Sequence, residues 1–223
     1  MKYLKVLLFG ILAGLAIGLG SFIFTLITSY AHDSWGNVLG SALFSIGLIL
    51  VCVFGLQLYT GKVGVVFDDR NKLVENAINL PIMLVGNAIG AFALGIICHF
   101  IFMNVEDINT RILAISANKV ASDTVFLQGI FCGALVYIAV YLYKNLQNYG
   151  MRIIGIIVAV TLFVACGFQH CIANMFYFGM AFDWNINMLW NLLIVILTNS
   201  VGALLIRCIV HLSAILATKK EDK

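Results

Sequence analysis

Six long apolar stretches recur along the 223-residue chain, and they constrain its fold more than any other feature. They cover about residues 6–30, 37–67, 77–103, 122–143, 152–181 and 188–216. An α-helix needs about 20 consecutive apolar residues to cross a bilayer. Only 10% of the residues are charged, against about 25% in a typical soluble domain, so too few polar groups remain to cover a water-facing surface. The sequence therefore predicts an all-α membrane protein, with residues 1–223 forming a single transmembrane domain.

Two of these stretches are unusually long and are interrupted by polar residues and glycine. The second contains "GLQLYTGKVG" at 55–64, and the fifth contains "GFQHCIAN" at 167–174. Non-helical backbone at membrane depth is tolerated only where it is buried in protein or lines a water-filled cavity. We therefore expect two broken helices whose breaks line a pore.

The distribution of lysine and arginine predicts the orientation of the chain. With the N-terminus inside the cell, nine basic residues fall at cytoplasmic ends of the spans: Lys2, Lys5, Arg70, Lys72, Lys144, Arg152, Lys219, Lys220 and Lys223. The opposite side has only Arg111 and Lys119. Because positive charge accumulates on the cytoplasmic side, we expect a multi-pass protein of the cell (inner) membrane with both termini in the cytoplasm.

The two halves of the chain, about 6–103 and 122–216, share three elements in the same order. The first element is a glycine-rich helix, with "GILAGLA" at 10–16 and "GIFCGAL" at 129–135. The second is a broken helix whose interruption begins with Gly55 or Gly167, and the third is a helix that contains Asn-x-x-Gly-Ala at Asn87 or Asn199. Each half has three spans, an odd number, so the second half must enter the membrane upside down. We predict an inverted 3+3 repeat of aquaporin-like architecture, with broken helices 2 and 5 and a solute site near the midplane.

Polar residues near the two breaks are the candidates for contact with a solute. His170 either lines the pore or is a neutral structural histidine bonded to backbone carbonyls, and Thr60 either contacts the solute or caps a helix end. Asn199 is a candidate pore residue, although Asn199 and its counterpart Asn87 could instead satisfy backbone groups freed by the breaks. Lys119 is either a solvated loop residue or a positive charge that concentrates small anions at a pore mouth.

No pattern in the sequence indicates a cofactor, a metal site, a catalytic site or a nucleic-acid interface. Cys166, His170 and Cys171 lack the second ligand pair that a structural zinc site requires. There is no Ser/His/Asp set, carboxylate pair or phosphate-binding glycine loop. Basic runs with interleaved aromatic residues, typical of nucleic-acid binding, are absent from the sequence as well.

Several of these motifs resemble those of one family, the formate–nitrite transporters, and the resemblance extends over essentially the whole chain. "GFQHCIANMF" is similar to the family signature GFEHxxANM, "LYTGKVG" to the loop of its second span, and "VGNAIGA" to GNxxGA in its third. "FLQGIFCGALVYIAVYL" resembles its fourth span, and "FGILAGLAIGLGS" and "ILTNSVGA" fit as well. Two positions depart from the family: Gln169 stands where it usually has glutamate, and Cys132-Gly133 where it usually has Cys-Asn.

The resemblance implies a homopentamer in which each protomer has its own pore for small monovalent anions. It places the central pore histidine at His170, the pore threonine at Thr60 and the vestibule lysine at Lys119. It also implies two apolar constrictions: one is formed by Phe44, Leu48 and Phe163, and the other by Leu58, Tyr59 and Val136.

The sequence therefore predicts a channel or proton-linked transporter for anions such as formate, nitrite or hydrosulfide. Its partners are the anion, protons and the bilayer. A bare charge resists burial far more than a neutral molecule does, so protonation of the anion would ease its passage, with His170 as the proton partner. One alternative is an aquaporin-like channel for neutral solutes, although the single proline, Pro81, lies outside both breaks. Another is a membrane-embedded enzyme that uses His170 and Cys171.

Overall fold

The computed structural model describes residues 1–67 and 70–221, and in this part of the chain the regular structure is entirely helical. The α-helices are α1 (Lys2–Tyr30), α2 (Ser34–Val53), α3 (Tyr59–Val63), α4 (Leu73–Phe102), α5 (Glu106–Ala121), α6 (Val125–Asn145), α7 (Tyr149–Ala165), α8 (Cys171–Ala181) and α9 (Ile186–Glu221). A short 3-10 helix, Arg70–Lys72, precedes α4. Of the basic residues that orient the chain, Lys223 lies outside the described residues, as do the side chains of Arg70, Lys219 and Lys220.

Within the described residues, five helices are long and apolar enough to cross a bilayer. They are α1, α2, α4, α6 and the Ile186–Ala214 part of α9. The remaining predicted span, 152–181, consists of two shorter apolar helices, α7 and α8. The prediction of an all-α membrane protein is therefore confirmed, with each predicted span matched by one helix or by a pair of shorter ones.

Both predicted breaks are present, but they begin slightly earlier than the polar motifs suggested. The non-helical segments are 54–58 and 166–170, whereas 59–63 and 171–174 are helical again. Gly55 (φ 63°) and Gly167 (φ 70°) adopt a left-handed backbone conformation, which glycine adopts readily because it lacks a Cβ atom. This conformation ends α2 and α7, with the glycine as the second residue of each break.

The two helix ends have the same hydrogen bonds. Leu56 N donates to Val51 O and Phe168 N donates to Phe163 O, both at 2.9 Å. Together with the left-handed glycine, this pattern is the Schellman motif, which satisfies carbonyl groups at a helix C-terminus. Each break therefore begins from a helix end whose carbonyls are already satisfied.

α8 lies at the centre of the molecule, since all of its residues are buried. It packs against α4, α5 and α9, while α1 packs against α4 and α6 packs against α9. The last two pairs approach closely through glycine. A Cβ atom at Gly14 would overlap the backbone of Asn87, and one at Gly133 would overlap the backbone of Asn199.

The helix α5 between the third and fourth spans was not predicted. It has acidic residues in its first turn and buries one face through Ile108, Ile112 and Ile115. Lys119, which sequence reasoning placed at the end of a loop, lies in its last turn. A rigid helix therefore determines where this lysine lies.

Candidate functional site

An asparagine side chain fixes the start of the helix that follows each break. Asn199 Nδ2 donates to Gly129 O and Gln169 O, each at 2.8 Å, and Asn199 Oδ1 accepts from Cys171 N at 3.0 Å. An amide side chain has two N–H donors, so both donors of Asn199 are already in use. The residue satisfies backbone groups and has no free donor for a solute, which favours its structural role over the predicted pore contact.

Asn87 makes the same three contacts in the first half of the chain. Its Nδ2 donates to Gly10 O and Gln57 O at 2.8 Å, and its Oδ1 accepts from Tyr59 N at 2.8 Å. Both asparagines are buried, at 0% and 1% exposure. The two breaks are thus stabilised by equivalent hydrogen bonds in the two halves.

Thr60 and His170, which lie 110 residues apart in the chain, meet between the two breaks. Thr60 Oγ1 and His170 Nε2 are 3.0 Å apart, and the residues are 1% and 2% exposed. His170 also caps α8, because its Nδ1 accepts from Ala173 N at 3.2 Å. A neutral imidazole has one donor and one acceptor nitrogen, so its proton is on Nε2 and is donated to Thr60. The hydroxyl proton of Thr60 is then free to be donated to a solute.

The predicted constriction residues are apolar, and one of them, Phe163, contacts the polar pair. Phe44, Leu48, Leu58, Val136 and Phe163 are at most 3% exposed and belong to one hydrophobic cluster. The rings of Phe44 and Phe163 are 5.9 Å apart, and the ring of Phe163 stacks on His170 at 5.9 Å. Five of the residues that the resemblance assigned to constrictions therefore belong to one buried cluster, which reaches the pair through the ring of Phe163.

Tyr59, the sixth predicted constriction residue, is half-buried and begins α3. Its hydroxyl lies 2.8 Å from Ser200 Oγ. Because Ser200 Oγ itself donates to Ile196 O, the tyrosine is the donor in this pair. Its side chain is therefore fixed against α9.

A cavity of about 270 Å³ opens beside His170 and Phe163, and Lys119 lines it. We call it the outer cavity because Arg111 and Lys119 line it, and both lie on the side predicted to face away from the cytoplasm. Lys119 Nζ donates to Gly167 O and Phe168 O, both at 2.9 Å. An ammonium group has three donors, so one N–H of Lys119 remains available. Desolvation lowers the pKa of Lys119 to about 8. The structure therefore places the predicted vestibule lysine against the second break.

Uncharged amides surround the backbone of this lysine. Gln169 Nε2 and Asn191 Nδ2 both donate to Lys119 O, at 3.1 and 2.8 Å. Asn174 Nδ2 joins them by donating to Gln169 Oε1 and Asn191 Oδ1. Gln169 therefore links α5 to the start of α8 without adding a negative charge.

An inner cavity of about 550 Å³ lies at the other end of the bundle. It is lined by Lys2, Lys5, Lys62 and Lys144, and by Glu75, which forms an ion pair with Lys2 at 2.5 Å. Lys5 lines this cavity and Phe24 lines the outer one. These residues are 19 positions apart on α1, which at 1.5 Å per residue corresponds to about 28 Å. That separation is close to the thickness of the hydrocarbon core of a bilayer.

Of the described basic residues that line the outer and inner cavities, only Lys119 was among the predicted site residues. Arg111 lies on α5 and lines the outer cavity, and Lys62 on α3 lines the inner one. Arg111, Ile115 and Lys119 follow each other at intervals of four and share one helix face. That spacing was visible in the sequence, but it becomes informative only once the segment is known to be a helix.

The described part of the chain has no group of three or more His, Cys, Asp and Glu side chains that could bind a metal ion. Cys166 is exposed and Cys171 is buried, and both are free thiols. His170 is already bonded through both ring nitrogens. These three residues therefore do not form a shared site.

Comparison with known proteins gives consistent matches over most of the chain. The model of the family described as formate/nitrite transporter matches residues 1–213. The uncharacterized transporter YrhG of Bacillus subtilis is 30% identical over 98% of this chain and 87% of that protein. The formate channel FocA of Haemophilus influenzae is 29% identical over 77% of this chain and 64% of that protein. A solved pentameric formate channel with formate bound is 27% identical, with a TM-score of 0.85 over 96% of this chain and 98% of that one.

Proposed function

Because the chain belongs to the formate/nitrite transporter family, we propose that small monovalent anions cross the membrane through a pore centred on Thr60 and His170. The family resemblance of the sequence motifs is confirmed, and the protein is a membrane channel for anions of the formate and nitrite type. Proteins of this family are channels and transporters, not enzymes. The alternatives of a neutral-solute channel and of a membrane enzyme are therefore set aside.

The observation that carries this proposal is the Thr60–His170 hydrogen bond inside an apolar cluster. His170 borders the outer cavity. Leu58, which belongs to the apolar cluster, borders a third cavity of about 160 Å³, which is also lined by Lys62 and Lys144. A solute that passes between the cavities must cross the buried apolar residues. Thr60 is the donor placed to meet it there.

Charge determines the first step of the mechanism. The Lys119 ammonium attracts an anion into the outer cavity, where it also raises the local anion concentration. Burying a bare charge among apolar side chains is far more costly than burying a neutral molecule. The apolar cluster therefore opposes the anion and favours its protonated form.

The Thr60–His170 pair can deliver the proton. When His170 is protonated on both nitrogens, Nε2 transfers its proton to Thr60 Oγ1 while the Thr60 hydroxyl transfers its own proton to the anion. One proton enters the pair and one leaves, and the imidazole ends neutral with its proton on Nδ1. That proton occupies the position where Nδ1 otherwise accepts from Ala173 N, so the Ala173 bond must reform before the next cycle.

The architecture in the membrane is also part of this proposal. An inverted 3+3 repeat, about 6–103 and 122–216, is supported by the equivalent contacts of Asn87 and Asn199. The pentameric assembly of the similar formate channel supports a homopentamer. The basic residues around the inner cavity support cytoplasmic termini in the inner membrane.

Purified protein in liposomes tests the function. We expect formate, nitrite and hydrosulfide to enter faster than in protein-free liposomes, whereas lactate and glycerol serve as comparison solutes. His170→Phe should remove or reshape the pH dependence of anion flux. An unchanged flux and pH profile in this variant would exclude His170 as the proton partner, and glycerol flux without anion flux would contradict the anion assignment.

A further inference from the structure

We propose that Arg111 forms an outer recognition site that favours planar anions with two oxygen acceptors, such as formate and nitrite, over anions with one acceptor atom, such as hydrosulfide. The inference rests on the proposed transport function and adds a residue that determines which anion enters most readily. Arg111 lines the outer cavity that also contains Lys119. It thereby extends the anion path outwards from that lysine.

Arg111 is fixed by two contacts with α1. Its Nε donates to Thr28 Oγ1 at 2.8 Å, and its guanidinium carbon lies 5.9 Å from the centre of the Phe24 ring. The direction of the first bond is determined, because Thr28 donates its own hydroxyl proton to Phe24 O at 2.8 Å. Thr28 therefore accepts from Arg111, and Phe24 supports the flat guanidinium by a cation–π contact.

These contacts leave the outer edge of the guanidinium unoccupied. A guanidinium has five N–H donors in a planar fork, and Thr28 uses the one on Nε. In the described part of the chain the terminal nitrogens of Arg111 have no hydrogen-bond partner. The two parallel N–H groups of this edge match the two oxygens of a carboxylate or nitrite.

The charge of the cavity favours an anion at this position. Among the described residues that line it there are two cations, Arg111 and Lys119, and no aspartate or glutamate. The two cations are eight residues apart on α5, which corresponds to about 12 Å along the helix. An anion can therefore bind at Arg111 first and reach Lys119 next, without passing a carboxylate on the described surface.

The planar arrangement of the N–H groups of Arg111 determines which anion is preferred. A planar two-oxygen anion can accept both N–H bonds at once, whereas a hydrosulfide ion offers a single acceptor atom. Lysine carries the same charge but lacks the planar fork, so an exchange of arginine for lysine separates geometry from charge. The recognition site therefore predicts a change in relative flux, not only in total flux.

The test uses the full chain in liposomes, with formate, nitrite and hydrosulfide below half-saturation and protein-free liposomes as background. Arg111→Lys should lower formate and nitrite flux about fivefold relative to hydrosulfide, since one charge-assisted hydrogen bond is lost. Arg111→Gln should in addition lower the flux of all three anions. Thr28→Val, which removes the acceptor but keeps the charge, should shift the flux ratio in the same direction as Arg111→Lys.

Arg152→Lys is the matched control. Arg152 has comparable contacts, since its Nε donates to Leu146 O and its guanidinium carbon lies 5.9 Å from the Tyr143 ring centre. It does not line the outer cavity, the inner cavity or the cavity beside Leu58. Its replacement should leave the flux ratio unchanged. An unchanged ratio in Arg111→Lys, or an equal loss of all three fluxes, would overturn the inference. If the wild-type protein moves none of the anions, the transport function itself fails instead.

Discussion

Replacing Asn199 with alanine removes the three hydrogen bonds that fix the second break. The change leaves Cys171 N, Gly129 O and Gln169 O without their side-chain partner, and all three belong to buried residues. The equivalent change, Asn87→Ala, serves as an internal comparison. It leaves Gly10 O buried, whereas the other two groups belong to the half-exposed Gln57 and Tyr59.

The magnitudes follow from the number of groups that water can reach. A buried polar group left without a partner costs about 1 kcal/mol or more. Gly129 O lies inside α6 and keeps its backbone hydrogen bond in the helix, so two buried groups, Cys171 N and Gln169 O, lose their partner. Asn199→Ala should therefore lower the free energy of unfolding by about 2 kcal/mol. Asn87→Ala should lower it by less than about 1 kcal/mol, because Gly10 O keeps its backbone hydrogen bond inside α1 and water can replace the amide at Gln57 O and Tyr59 N.

The assay is unfolding of the purified protein in detergent, with the same denaturant titration for the wild type and both variants. Intrinsic fluorescence gives the transition, and formate flux in liposomes shows whether the surviving fold still conducts. Asn199→Ala should be clearly less stable than Asn87→Ala. An equal cost for the two changes, or a larger cost for Asn87→Ala, would refute the assignment of Asn199 as the more deeply buried anchor.

Three further outcomes are expected. Gly133→Ala should destabilise the protein by about 3 kcal/mol or more, because the added Cβ atom would overlap the α9 backbone. In the same unfolding assay Gly155→Ala should change the free energy of unfolding little, because the nearest atom to its Cβ would be a leucine side-chain atom at 3.1 Å. Since the pKa of Lys119 is lowered to about 8, the wild type loses this charge as the pH rises through 8, whereas Lys119→Arg keeps it. Both proteins share the proton dependence through His170, so anion flux should fall more steeply with pH in the wild type than in Lys119→Arg. Equally steep profiles would contradict the role of the Lys119 charge. Thr60→Val should lower formate flux about tenfold at unchanged expression, while a normal flux would show that the hydroxyl of Thr60 does not contact the anion.

Much of the fold could be predicted because the relevant signals are local. Apolar length alone indicates the spans, and Gly55 and Gly167 mark the helix ends, since their left-handed conformation is one that glycine adopts readily. The helix α5 was not predicted, because it is too polar to be identified as a transmembrane span. Its sequence does contain the pattern of an amphipathic helix, with Ile108, Ile112 and Ile115 on one buried face.

The site was harder to predict, because its contacts join residues that are distant in the sequence. Thr60 and His170 are 110 residues apart, and Arg111 is 83 residues from Thr28. The repeat suggested that Asn199 occupies an important position, but only the geometry shows that both of its amide hydrogens bond to backbone carbonyls. Sequence reasoning therefore identifies polar residues in the membrane, while the structure distinguishes those already bonded from those still available.

The distinction between bonded and available polar groups explains why an apolar transmembrane span contains so many polar residues. In "GFQHCIAN", Gln169 and Asn174 are bonded within the protein, and His170 donates to Thr60. Among the described residues, donors that remain for an anion include the Thr60 hydroxyl, one N–H of Lys119 and the terminal N–H groups of Arg111. Most of the polar groups stabilise the break, and these few donors define a path from the outer cavity to the apolar cluster. Because the cations lie outside that cluster and the neutral hydroxyl lies inside it, the order of the donors itself favours loss of charge before passage.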